Sequence, residues 1–243
     1  MITLLIKEIN SFLNSLIGYV VIIVFLVAIG LFMWVFPGES NVLDSGYASI
    51  NTLFIIAPWV FMFLVPAVTM KLFSEEKRLG TMELLFTQPL SDIQIILAKY
   101  FAGLFLVLFS LLPTLVYFIS IYYLGNPIGN MDIGGTWGSY IGLFFLGAGF
   151  VSIGVFSSSI TENQIISFVV AIFLSFFFFT GFESLATLEL FSGVDSYIIK
   201  MGIQDHYVSM SRGVLDTRDI LYFISLIVSF ILLTRLVLSS RKW

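Results

Sequence analysis

Long apolar runs broken by short polar stretches set the pattern of this chain. A helix needs roughly 20 apolar residues to cross a hydrocarbon core of about 30 Å, at about 1.5 Å per residue. Six runs meet that length, at about 17–36, 52–72, 101–124, 138–158, 164–182 and 219–238. Unpaired backbone groups are too costly in lipid for an open sheet. The expected fold is therefore an all-α integral membrane protein with six transmembrane helices, forming a single transmembrane domain over residues 1–243.

A different pattern precedes the first run. Ile2, Leu5, Ile6, Ile9, Phe12, Leu13 and Leu16 recur at helical spacing, with Thr3, Lys7, Glu8, Asn10, Ser11 and Asn14 between them. This is an amphipathic helix. It either lies in the membrane interface until the chain turns inward near Gly18, or extends span one. Its apolar continuation is too long for a cleavable leader, so span one is expected to remain as an anchor. Pro58, Pro66 and Pro113 are expected to kink spans two and three. Gly138-x-x-x-Gly142 at the start of span four marks a candidate close approach.

Composition agrees with the pattern. The 243 residues are 59% hydrophobic and 11% charged, whereas soluble domains carry about 25% charged residues. The net charge of -4 gives no electrostatic support for binding nucleic acid. With no cysteine and one histidine, His206, clustered Cys/His metal sites are excluded. Of the 11 Lys and Arg residues, Lys7, Lys71, Lys77, Arg78, Lys99, Arg235, Arg241 and Lys242 fall on the side of the two termini. The loops 37–51 and 125–137 contain neither Lys nor Arg, while Lys200, Arg212 and Arg218 lie in the segment 183–218. Both termini are therefore expected to be cytoplasmic.

The stretch 71–94 carries the most information. Span two is expected to continue through Glu76, Lys77 and Arg78 and to end at Gly80. Thr81 is placed to cap a short helix with Glu83 in its first turn. That helix presents Met82, Leu84, Leu85 and Phe86, followed by Gln88. These side chains are buried either in the cleft of a soluble partner or against the protein's own spans. Pro89 forces a turn, and Ser91 with Gln94 forms a capping-box pattern at the head of a third helix.

The run Glu76-Lys77-Arg78-x-Gly80-Thr81-x-Glu83-x-Leu85-x-x-x-Pro89, with Lys99 further on, resembles the signature of type-2 ABC transporter permeases. The six-span plan, the N-terminal helix and the long segment before span six are similar as well. The resemblance implies that residues 81–88 form a coupling helix that docks on a separate ATP-binding subunit. It implies too that ATP and Mg are bound there, with no cofactor in this chain. It further implies a second permease copy or a homologous or auxiliary membrane subunit (GldG-like, from the gliding-motility branch of the family), and a bacterial inner membrane.

The outer segment 183–218 is too charged to span and is expected to form a re-entrant or interfacial helical pair. In its closing run, Asp216 is placed to cap span six, with Asp219 at the third helical position reaching the same free amides. Gly213 allows the turn, and Arg212 is placed to pair with Asp216 or Asp205. His206 beside Asp205 lacks the nucleophile or second base that catalysis needs.

No Gly-x-x-x-x-Gly-Lys-Ser/Thr loop occurs, so the chain is not itself the ATPase. Span centres hold almost no ionisable group, which counts against an ion-coupled carrier. A passive channel or an ATP-independent scaffold of a motility or secretion machine are the other readings. No residue constellation names a substrate.

Overall fold

In a computed structural model, residues 1–187 and 195–240 are described. Arg241 and Lys242, used above for orientation, lie outside them, as do 188–194 of the outer segment. The chain forms α1 (Ile2–Leu13), α2 (Leu16–Val35), α3 (Asn51–Arg78), α4 (Met82–Phe86), α5 (Asp92–Leu124), α6 (Ile133–Ile160), α7 (Gln164–Ala186), α8 (Asp195–Ile199), α9 (Ile203–Ser211) and α10 (Thr217–Ser239). No strand occurs among the described residues. Six of the helices, α2, α3, α5, α6, α7 and α10, are long and apolar enough to cross a membrane.

Two boundaries move. Span three starts at Asp92 rather than 101, because the capped helix and the apolar run form one rod. Span four starts at Ile133, where the Asp132 carboxylate accepts a hydrogen bond from Gly135 N–H at 2.8 Å. Pro113 sits in a 3-10 turn, Leu112–Thr114, that interrupts α5. Pro58 and Pro66 lie buried inside α3, where each lacks the N–H that would donate to the preceding turn.

At the centre stands α6. In its most apolar stretch 78% of the residues are buried, against 22% for α2 and for α7, so those two present most of their surface outward from the bundle. Helix α6 touches α3, α5, α7, α9 and α10. It is rich in small residues because each neighbour comes close to its backbone. A methyl group on Gly147 would meet Val107 of α5, and one on Gly149 would meet Leu226 of α10.

The glycine pair at the head of α6 does mark a close approach, though to α9 and the turn behind it rather than to another span. A Cβ on Gly138 would lie 2.6 Å from the carbonyl oxygen of Gly213, and one on Gly142 would lie 2.6 Å from Cβ of Met210. Met210 is fully buried. Overpacking such a contact costs about 1–3 kcal/mol. Gly142→Val is therefore expected to lower the melting temperature in detergent, while the same change at exposed Gly134 leaves it unaltered.

Helix α9 is the inner half of the expected helical pair. Its Tyr207 is buried and donates a hydrogen bond to Phe54 O of α3 at 2.7 Å. Burial pushes the Tyr207 phenol up from its ordinary value.

Candidate functional site

The α3–α4–α5 connection lies at the end of the bundle that carries α1, called here the near end. Helix α3 closes with two bonds that satisfy its last carbonyls: Gly80 N–H donates to Lys77 O at 3.1 Å and Thr81 N–H to Glu76 O at 3.0 Å. This crossed pair needs a left-handed residue between them, and Gly80 supplies it at φ +68°.

Thr81 does not cap α4 as expected. Its backbone is helical, and its hydroxyl returns to Glu76 O at 3.3 Å. The tight reversal at Gly80 leaves the side chain facing the helix it has just left. Further on, Ser91 and Gln94 form the reciprocal capping box, with contacts of 3.1 and 3.4 Å. Both ends of the loop are thus pinned by local bonds.

Helix α4 divides its apolar side chains. Met82 is buried, and Leu85 and Phe86 are half-buried against the bundle. These three positions, i, i+3 and i+4, share one helical face. Leu84 lies on the other side and is 66% exposed, with Glu83, Thr87, Gln88 and Pro89 exposed around it. Of the alternatives open to this helix, packing on the protein's own spans holds for Met82, Leu85 and Phe86, while Leu84 stays outward. A helix of five residues on short tethers lies flat on its own spans and spends one face there. Leu79, before the turn, is 62% exposed and adds a second outward leucine.

Beneath this loop sits a buried ion cluster. Lys99 is 1% exposed in its side chain; its ammonium lies 3.0 Å from Glu8 Oε1 and 2.9 Å from Glu76 Oε1. It also donates to Leu72 O at 2.6 Å. Lys7 approaches the same two carboxylates, at 3.2 Å from Glu8 and 3.4 Å from Glu76. Burial alone would push the Lys7 ammonium down; the two carboxylates outweigh it and hold it above the ordinary lysine value. Lys77, also buried, donates to Ser159 O at the C-terminal end of α6. A cation there meets the negative end of the helix dipole. Arg78 is exposed. A crevice of about 410 Å³ opens between these groups and α4, bordered by Lys7, Glu75, Leu79, Thr81, Leu84 and Gln88.

Sequence reasoning assigned Glu8 to the polar face of α1, and the structure buries it. A signal was present: Leu4, Glu8 and Phe12 recur every four residues, and all three are buried against α5. Ile2 and Ile6 remain exposed on the opposite side, as an interfacial helix requires.

At the far end, Asp216 caps α10 as expected, accepting from Arg218 N–H at 2.9 Å. Asp219 does not join it. Its carboxylate faces His206 Nδ1 at 2.7 Å, while His206 Nε2 faces Lys200 O at 2.9 Å and the ring stacks on Tyr222. The partner of His206 is thus Asp219 and not Asp205. Gly213 makes the turn at φ +84°. Among the described residues Arg212 forms no ion pair with Asp205 or Asp216; it borders a second crevice with Asp132 and Ser211. No group of three or more His, Cys, Asp or Glu residues that could hold a metal occurs among the described residues.

Six membrane-length helices, two of them joined by a helix-bearing loop, define a multi-pass membrane protein. The chain matches the family of ABC-2 family transporter proteins over residues 2–242, and it belongs to that family. It is thereby a membrane permease subunit of an ABC transporter, of a kind without ATPase motifs of its own that works with an ATP-binding partner subunit. No curated protein matches it.

Proposed function

We propose that residues 81–89 are the docking element for the ATP-binding partner, and that the near end is the cytoplasmic face of a bacterial inner membrane. The partner holds ATP and Mg. The observation that carries this reading is Leu84: an exposed leucine ringed by Glu83, Gln88 and Pro89, on a helix whose opposite face is packed onto the spans. An apolar centre with a polar rim is the general anatomy of a protein interface. Movement of the partner would reach the membrane through α3 and α5, which lead from the loop into the apolar spans. A second permease copy or a homologous membrane subunit completes the pathway. The whole chain acts as one permease domain.

The physiological output we infer is export or a gliding-motility or secretion-associated process. The runs 81–92 and 212–219 are similar to those of the gliding-motility permease GldF, with NosY-like permeases related, and a GldG-like auxiliary subunit follows from that likeness.

Affinity purification of the tagged protein from native membranes in mild detergent tests the docking proposal. An ATP-binding chain is expected in the eluate, identified by mass spectrometry. Its absence across several detergents would favour an ATP-independent scaffold instead.

A further inference from the structure

The ion cluster under α4 is larger than holding the loop requires. It joins three elements: Glu8 from α1, Glu76 from the end of α3 and Lys99 from the start of α5. Helix α1 rests on α5 through apolar side chains, Leu4 and Phe12 among them. Its ties to the α3 extension are of another kind. They include the shared Lys99, the Lys7–Glu76 pair at 3.4 Å, and Lys71 over the Phe12 ring at 4.8 Å. Each of these three involves charge.

Buried ion pairs are poor devices for stability alone, since apolar residues of similar volume serve as well or better; their best-attested use is to fix a register or a switch. This cluster also has spare pairing capacity. Glu76 Oε2 is buried and has no hydrogen-bond partner. Lys7, with a side chain 60% exposed, stands beside both carboxylates as a second cation. If the α3 extension shifts, Glu76 keeps a cation within reach while Lys99 retains Glu8.

We propose that Glu8, Glu76 and Lys99 form an ionic latch that makes the N-terminal helix α1 follow the loop, so that partner movement is delivered to α1 at the membrane surface as well as to the spans. Glu8 is the positioning residue on the α1 side. The proposal rests on the docking reading above.

The chain has no cysteine, so label pairs can be introduced without background. Two pairs suffice, both measured by electron–electron distance spectroscopy: Asn10→Cys with Ser240→Cys, reporting α1, and Arg78→Cys with Ser240→Cys, reporting the α3 extension. All three sites are exposed. The protein is measured in lipid nanodiscs with its ATP-binding partner, first without nucleotide and then with ATP and vanadate. Both distance distributions are expected to shift with nucleotide. In the double variant Lys7→Met with Glu8→Leu, which removes both ion-pairing side chains of α1 and leaves the Lys99–Glu76 pair intact, the Arg78 pair still shifts and the Asn10 pair stops. In Glu8→Gln, which keeps an acceptor for Lys99, the Asn10 shift is partly retained. That graded response separates a latch from a folding defect, and the Gln variant stands in if the double variant does not fold. An Asn10 shift as large in both variants as in the parent, or absent from the parent, overturns the latch alone. A fixed Arg78 pair in the parent overturns the docking reading, and the latch with it.

Discussion

Lys99→Met is expected to be the most destabilising single change at the near end, by about 3–5 kcal/mol. Lys99 is the cation shared by two buried carboxylates, and its removal leaves Glu8 and Glu76 facing each other with only the exposed Lys7 between them. Loss of one partner from a buried pair strands the other charge, which costs far more than the pair itself contributes. The triple change Lys99→Met, Glu8→Gln and Glu76→Gln is therefore expected to be more stable than Lys99→Met alone. Thermal denaturation in detergent, followed by size-exclusion chromatography, orders the three proteins. If Lys99→Met melts with the parent, the cluster is not formed as described.

The second large effect is expected on partner binding. Leu84→Asp should weaken capture of the ATP-binding subunit by about 2 kcal/mol or more, roughly a 30-fold loss. The fold should be unchanged, because Leu84 is 66% exposed and supports nothing in this chain. Met82→Asp provides the contrast. Met82 is buried, so an aspartate there should loosen the loop and lower stability along with binding. A binding assay on detergent-purified chains, paired with a melting curve for each variant, separates the two. Equal binding by Leu84→Asp and the parent would remove α4 from the interface.

Much of this architecture was legible because lipid imposes a length. The six spans follow from apolar runs, and their ends shift mainly where a capped polar segment continues a helix, as at Asp92 and Asp132. Local chemistry was legible too: the Gly80 reversal and the Ser91–Gln94 box depend on neighbours within a few residues. What depended on distant neighbours was not. Glu8 looked solvated until α5 was laid beside it, 91 residues away in sequence. Asp219 looked like part of a helix cap until α9 brought His206 to it. The face of α4 was an intermediate case. The spacing of Met82, Leu85 and Phe86 already marked one side for burial, yet nothing local said that the spans would be what buried it.

The central claim, that α4 meets the ATP-binding subunit, is tested most directly by photocrosslinking in intact cells. A benzophenone amino acid is placed at Leu84, and in a parallel strain at Tyr47, which is exposed as well but lies in the loop between α2 and α3. Irradiation is expected to join the Leu84 variant to the ATP-binding chain and to leave the Tyr47 variant without that product. A crosslink to that chain from Tyr47 and none from Leu84 would place the partner at the other end of the bundle and contradict the account.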